Sequence, residues 1–292
     1  MSFYMRKVLI ILCLWLCGSA VKAELADTIK PVLPDGAIPF FSFKNNVILN
    51  GFVNDTIPIK AMLDLGARGM AAPEWLRRDK EHRKKTEPIR FKVGEWQKTL
   101  HATFMNSDSQ FLHWYGEDCI LLGWDFFNRR IMEISYNRHY IRELKPIELN
   151  SLQGYDSIRF ENRGMRLLIP TTVHISGKVI EGKCWIDTGL NGTLFFTYDI
   201  LEKYNLDMSK SKVGRAKNLD THRTKIDILR SDSIRIGNSV LINRDVFFSE
   251  SEWFVFKEND MYIGLLGNQF FKNFSVIFDF RKNNLYLKPV EE

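Results

Sequence analysis

Short runs of apolar residues, separated by turn-forming residues, recur along most of the chain and predict a protein built mainly of β-strands. The apolar run 47–49 leads into Asn50 and Gly51, a dipeptide that favours a tight hairpin turn. The run 173–175 leads into Ser176 and Gly177 in the same way. We therefore predict a β-hairpin at each place, with a longer returning strand in the first.

The pattern also predicts a short helix and two more hairpins in each half of the chain. Residues 197–204 have helical spacing and Thr197 as a candidate N-cap, and residues 73–78 are their counterpart. The further hairpins span 88–95 and 131–144 in the first half and 233–240 and 275–287 in the second. Residues 144–164, rich in Pro, Asn, Ser and Gly, are predicted to be a linker.

Two sequence motifs occur twice, in the same order. Asp64-Leu65-Gly66-Ala67 is matched by Asp187-Thr188-Gly189, and Leu121-Leu122-Gly123 is matched by Leu265-Leu266-Gly267. Two copies are too few for a solenoid. The duplication predicts two lobes, over residues 24–149 and 150–292, each with an aspartate at the end of an apolar strand.

An aspartate followed closely by glycine fits a tight loop, because glycine accepts backbone angles that other residues resist. If the two loops meet, the carboxyls of Asp64 and Asp187 lie so close that both cannot ionise cheaply, and the pair holds one proton. The ionised partner can then take a proton from a water while the protonated partner polarises a carbonyl. This chemistry hydrolyses peptides without a metal or a covalent intermediate.

These residues resemble the aspartic proteases, specifically the retropepsin-like lobe, whose Asp-Thr/Ser-Gly-Ala loop is followed later by two hydrophobic residues and Gly. The resemblance covers nearly all of the chain after residue 23. It implies a mainly β fold of two retropepsin-like lobes that form a pseudo-dimer, similar to pepsin in plan, with a polypeptide substrate and no cofactor or metal. The residues it implies are catalytic Asp64 and Asp187, loop-shaping Gly66, Ala67, Thr188 and Gly189, and supporting Gly123 and Gly267.

Leu65 departs from the family pattern, which has Thr or Ser at this position. That hydroxyl helps to lock the two loops together, and a leucine cannot replace it, although Thr188 could still bond to backbone across the interface. Three functions therefore stay open: an aspartic endopeptidase, a catalytically impaired peptide-binding or structural protein on the same fold, and a β-rich surface protein whose duplication is incidental.

The two halves also differ in length. Asp64 and Gly123 are 59 positions apart, whereas Asp187 and Gly267 are 80 apart. In the family a hairpin flap closes over the substrate, and residues 211–224 of the longer half are the candidate flap. Phe111, Trp114 and Tyr115 either line a substrate cleft or pack at a lobe edge.

The N-terminus predicts export. Arg6 and Lys7 precede the apolar run 8–17, and small residues follow up to Ala23, so residues 1–23 are predicted to be a cleaved signal peptide. Leu16 argues against a lipoprotein anchor at Cys17. We expect a periplasmic or secreted protein with no membrane span after cleavage, in which Cys119 and Cys184 are free, buried thiols.

Composition adds few constraints. The chain has 292 residues and a formal charge of +6, which falls to +3 without residues 1–23 and gives no reason to expect nucleic-acid binding. The sequence contains no His-Glu-x-x-His, Gly-x-Ser-x-Gly or P-loop motif. Because one chain supplies both aspartates, we expect a monomer.

Overall fold

The computed structural model describes residues 32–81, 85–217, 223–249 and 262–290. The predicted signal peptide, Cys17 and residues 218–222 of the candidate flap lie outside this part of the chain. The elements described below belong to one unit, Gly36–Glu292. Within the described ranges, no helix has the length and apolar character needed to cross a membrane.

The first half of the described chain is mainly β. Its strands are β1 (Ile38–Phe43), β2 (Asn46–Val53), β3 (Ile57–Asp64), β4 (Met70–Pro73), β5 (Thr86–Val93), β6 (Trp96–Met105), β7 (Cys119–Gly123), β8 (Ile131–Ser135) and β9 (Tyr140–Glu143). Helix α1 (Gln110–Tyr115) lies between β6 and β7, and Glu74–Leu76 and Trp124–Phe127 are 3₁₀ turns. Buried and outward-facing residues alternate along β5, as expected for a strand with one face on the core.

The second half repeats this plan, and several of its strands are longer. They are β10 (Asp156–Arg159), β11 (Glu161–Arg163), β12 (Arg166–Ile175), β13 (Lys178–Asp187), β14 (Leu194–Thr197), β15 (Lys212–Lys217), β16 (Arg223–Ile236), β17 (Ser239–Ser249), β18 (Gly264–Gly267), β19 (Phe274–Asp279) and β20 (Asn284–Pro289). The helices are α2 (Tyr198–Tyr204) and α3 (Asn268–Phe271), and Pro146–Ser151 is a 3₁₀ segment.

The sheet topology shows the duplication directly. The order β2-β3-β7-β4-β6-β5 in the first half matches β12-β13-β18-β14-β17-β16 in the second. Extra pairings, β2 with β5 and β12 with β16, curl each set into a barrel-like sheet. The closing hairpins of the two halves meet, because β8 pairs antiparallel with β19. The fold is thus mainly β and two-lobed.

Phenylalanines join the two lobes. The rings of Phe126 and Phe127 lie 5.1 Å apart, and Phe127 lies 6.4 Å from Phe280 of the second half. Phe280 in turn stacks on Phe278 at 5.6 Å. One hydrophobic core therefore runs through both lobes and holds their aspartate-bearing strands in a fixed relation.

Most predicted elements are present, and two predictions were wrong. Asn50 and Gly51 lie inside β2, and the turn comes at residues 54–56. A Cβ on Gly51 would lie 2.5 Å from the Lys92 carbonyl oxygen, so this glycine admits a crossing strand instead of a turn. The predicted linker contains β10 and β11, which pair with β20 and β12.

Candidate active site

Asp64 and Asp187 end equivalent strands of the two lobes. β3 runs parallel to β7, and this register pairs Asp64 with Gly123. β13 runs parallel to β18, and the same register pairs Asp187 with Gly267. The two aspartates therefore occupy the same topological position, at the carboxyl end of a central strand.

The loop after each aspartate is closed by the same backbone hydrogen bonds. The Ala67 amide donates to the Asp64 carbonyl at 3.2 Å, and the Leu190 amide donates to the Asp187 carbonyl at 3.2 Å. The Ala67 carbonyl accepts from the Trp124 amide, just as the Leu190 carbonyl accepts from the Asn268 amide. Ala67 and Leu190 are thus equivalent residues of one loop geometry.

Gly123 and Gly267 let the neighbouring strand pass directly behind each loop. A Cβ on Gly123 would lie 2.8 Å from the carbonyl oxygen of Ala67, and one on Gly267 would lie 2.2 Å from the carbonyl oxygen of Gly192. Any side chain at either position would push the loop away from the strand that supports it. This close packing gives a physical reason for the hydrophobic-hydrophobic-Gly motif.

Gly66 and Gly189 bring the two aspartates face to face. A Cβ on Gly66 would lie 2.7 Å from Cγ of Asp187, and a Cβ on Gly189 would lie 2.7 Å from Cγ of Asp64. Each glycine therefore lies directly against the aspartate of the other lobe. The two carboxyls converge across an approximate two-fold relation, as the duplicated sequence predicts.

The chain was compared with known proteins. No protein-family model matches it, and no curated protein matches it either. Among solved structures, the aspartic proteinase from Irpex lacteus matches 88% of this chain and 97% of its own, with a TM-score of 0.51 and 8% identity. This chain has the fold of the aspartic proteases. A retropepsin-like aspartic protease from Rickettsia conorii matches 46% of this chain and 89% of its own, with a TM-score of 0.33 and 22% identity.

The aspartic protease fold places the two carboxyls in unequal surroundings. Burial raises the pKa of Asp64, but the amides of Gly66 (2.8 Å) and Gly189 (3.3 Å) donate to its Oδ1 and oppose that rise. Burial and then the charge of Asp64 raise the pKa of Asp187 well above its usual value, and the two side chains hydrogen bond to each other. These surroundings favour the shared proton on Asp187 over the proton on Asp64.

Thr188 links the lobes with its side chain. Its hydroxyl donates to the Leu63 carbonyl at 3.3 Å and accepts from the Leu65 amide at 2.8 Å. These are the cross-lobe bonds expected of Thr188 from the sequence. Leu65, at the equivalent position of the first loop, is fully buried and has no hydroxyl to make the reciprocal pair.

Asn46 and Tyr115 also reach the site, and the sequence did not mark Asn46 as functional. The Asn46 side-chain amide donates to the carbonyls of Thr188 (2.9 Å) and Gly189 (3.0 Å). The Tyr115 hydroxyl donates to Asn46 Oδ1 at 2.9 Å. The Tyr115 ring stacks on Phe111, which agrees with the packing alternative for this residue. A lone buried asparagine carries no sequence pattern that could have singled it out.

The two cysteines are the other reactive side chains that the sequence singled out. Cys119 and Cys184 are buried free thiols, as expected, and burial raises the pKa of each to about 12. Across residues 32–81, 85–217, 223–249 and 262–290, no group of three or more His, Cys, Asp or Glu is arranged to hold a metal ion.

Proposed function

We propose that the protein is an aspartic endopeptidase in which Asp64 and Asp187 form the catalytic pair. The observation that carries this proposal is the convergence of the two carboxyls at the ends of duplicated loops, where each glycine contacts the opposite aspartate. Two nearby carboxyls with different proton affinities are what general acid–base hydrolysis of a peptide requires.

The unequal surroundings assign the two roles. Ionised Asp64 takes a proton from a water bound between the carboxyls, and the water oxygen attacks the scissile carbonyl carbon. Protonated Asp187 hydrogen bonds to the carbonyl oxygen and stabilises the charge that develops there. The proton taken by Asp64 then passes to the leaving nitrogen as the C–N bond breaks, so no covalent intermediate with the enzyme forms.

The substrate is a polypeptide bound in an extended conformation between the lobes, with strand-like hydrogen bonds to the protein. The arm formed by β15 and β16 is the proposed flap over that substrate. Lys212 pairs with Ile228 and Lys217 with Arg223, so the arm is a regular antiparallel hairpin at a sheet edge. The corresponding part of the first half, between β4 and β5, has no such hairpin among its described residues.

We also propose that the protein is exported and acts as a monomer after removal of residues 1–23. Arg6, Lys7 and the apolar run that follows them support export. The presence of both aspartates in one chain supports a monomeric enzyme.

A second candidate function is peptide binding without catalysis. Leu65 favours it, because a lobe that lacks one interlocking hydroxyl could hold its aspartate less rigidly. The two candidates differ in whether the paired carboxyls perform turnover or only shape a binding cleft.

The test is cleavage of an unfolded protein mixture by the mature protein from pH 3 to pH 8. We expect cleavage that falls as pH rises through the raised pKa of Asp187, because the pair then loses its proton. Asp187→Asn should reduce kcat by about 10²–10⁴-fold. Asp245→Asn, which removes a surface carboxylate paired with Arg230, is the matched control and should keep full activity.

Cleavage by a folded Asp187→Asn protein at the parental rate would refute the mechanism. If the folded parent cleaves nothing at any pH but binds extended peptides, the second candidate is correct.

A further inference from the structure

The cross-lobe contacts of the two catalytic loops are not symmetric. Thr188 of the second lobe bonds to the backbone on both sides of Asp64, at Leu63 and Leu65. By the two-fold relation, residue 65 of the first lobe should bond to the backbone at Ile186 and Thr188. Leu65 is apolar and cannot do so, so the first lobe needs another side chain to hold the second loop.

Asn46 supplies side-chain hydrogen bonds from the first lobe to the second loop. It lies on β2 of the first lobe and is 1% exposed. Its amide donates to two successive carbonyls of the second loop, those of Thr188 and Gly189. Because two donors of one amide group are used, the orientation of that stretch of backbone is fixed relative to the first lobe.

Those two carbonyls belong to the peptide groups that hold the catalytic pair. The Thr188 carbonyl shares a peptide group with the Gly189 amide, which donates to Asp64 Oδ1 at 3.3 Å. The Gly189 carbonyl shares one with the Leu190 amide, which donates to Asp187 Oδ1 at 3.0 Å. A peptide group is planar, so a bond that fixes its carbonyl also aims its N–H. Bonds in such a chain also polarise one another.

Tyr115 fixes the orientation of the Asn46 amide. Its hydroxyl donates to Asn46 Oδ1, which requires the oxygen of that amide to face Tyr115 and the nitrogen to face the second loop. Burial raises the pKa of Tyr115 to about 12, so the hydroxyl keeps its proton for this bond at any working pH. The Tyr115 ring is held by stacking on Phe111 at 4.9 Å and by edge contact with Phe43 at 5.7 Å.

The equivalent position of the second lobe is used differently. Ile48 pairs with Met62 and Leu168 pairs with Trp185, in each case two residues before the aspartate, so Asn46 corresponds to Arg166. The guanidinium of Arg166 lies over the rings of Trp185 (5.0 Å) and Tyr262 (4.9 Å), in its own lobe. The lobe with Thr in its loop thus has a locally packed arginine here, and the lobe with Leu has the bridging asparagine.

We propose that Asn46, oriented by Tyr115, is a positioning residue that replaces the interlocking hydroxyl absent at Leu65 and aims the Gly189 and Leu190 amides at the catalytic carboxyls. This inference rests on the proposed function for its kinetic consequence, but its structural consequence is independent of turnover. These hydrogen bonds fix the geometry of the aspartate pair whether or not that pair cleaves peptides.

The experiment compares Asn46→Ala, Tyr115→Phe and Leu65→Thr, alone and with Leu65→Thr added to each of the other two. Asn46→Ala should lower kcat by about 10- to 100-fold with little change in KM, because the carboxyls and not the substrate contacts are misplaced. Tyr115→Phe should have a smaller effect in the same direction. Adding Leu65→Thr should restore kcat in both, since a threonine at this position supplies the reciprocal bonds.

A second readout does not depend on turnover. The titration of the Asp187 carboxyl, followed by its ¹³C chemical shift, should move to higher pH in Asn46→Ala, because the Leu190 amide that favours its charged form is then aimed less well at it. Leu65→Thr should reverse that shift. Asn162→Ala is the control, since Asn162 lies on the corresponding hairpin and its side chain accepts from the Gly164 amide of the same turn.

The outcomes separate this inference from the proposed function. A parent that cleaves nothing would refute the proposed function, yet the titration would still support or refute the role of Asn46. If Asn46→Ala and Tyr115→Phe leave both kcat and the Asp187 titration unchanged, the inference is wrong. It is equally wrong if both readouts change but Leu65→Thr restores neither. If Asn46→Ala fails to fold, the comparison of Tyr115→Phe with and without Leu65→Thr decides.

Discussion

The loop after Asp64 and the loop after Asp187 have the same backbone and different side-chain partners. Their closing hydrogen bonds match residue for residue, at Ala67 and at Leu190. Their locking side chains do not, because Thr188 bonds across the interface and Leu65 is packed in the core. The comparison teaches that a duplicated fold can keep its loop geometry while the means of holding the two copies together changes.

The same comparison explains why the two aspartates differ. Asp64 accepts from an amide of each lobe, those of Gly66 and Gly189, and these bonds favour its charged form. Burial and the charge of Asp64 raise the pKa of Asp187, and the Leu190 and Gly189 amides of its own loop oppose that rise. Identical positions in two equivalent lobes therefore acquire different proton affinities.

The largest expected effect on kcat comes from substitutions that would push the two aspartate loops apart. Gly66→Ala should displace Asp187, and Gly189→Ala should displace Asp64, because each new Cβ would meet the opposite Cγ at 2.7 Å. A displacement of about 1 Å costs on the order of 10² in rate. We expect both variants to lose at least that much in kcat, measured with a peptide that the parent cleaves. Loss in one variant only, with both folded, would show that the carboxyls do not converge symmetrically.

The next largest effect concerns the Thr188 hydroxyl, which links the two loops. Thr188→Val leaves the buried Leu65 amide without its partner and should lower the free energy of unfolding by about 1–3 kcal/mol, measured by denaturant titration. Thr171→Val is the matched control, because Thr171 is also buried in the second lobe but its hydroxyl bonds to Ile169 of the same strand. Equal losses in the two variants would mean that the cross-lobe bond carries no special stability.

The smallest expected effect tests the inequality of the aspartates. The pKa of Asp187 is raised above its usual 3.8, so the folded state binds this proton more tightly than the unfolded state does. The parent should therefore lose stability as pH rises from about 4 through the raised pKa, whereas Asp187→Asn should lose less, because only the raised pKa of Asp64 remains. We expect the variant to gain in Tm relative to the parent as pH rises, with little difference at pH 3.

Asp64→Asn serves as the comparison for that measurement. Its gain in Tm over the same pH range should be smaller, because the backbone amides that bond to Asp64 partly offset the effect of its burial. A gain for Asp64→Asn that equals or exceeds the gain for Asp187→Asn would reverse the assignment of the two roles.

Several features of the fold follow from local sequence. The hairpin at Ser176 and Gly177 is present, with both residues at positive φ, and Thr197 precedes helix α2 as predicted. The tight turn that admits such backbone angles is encoded in the two residues themselves. Asn50 and Gly51 have the same local signal and form no turn, because the packing of β5 against β2 determines their conformation.

The sequence by itself determined the duplication, the two aspartate loops, and the glycines that let each loop approach a strand and the opposite carboxyl. Those features are local, since each depends on a few neighbouring residues repeated at one spacing. Only the tertiary structure decided that the closing hairpins of the two halves pair, and that Asn46 meets a loop 142 residues further along the chain. Such contacts depend on how the two lobes pack, and the side chains that make them follow no periodic pattern.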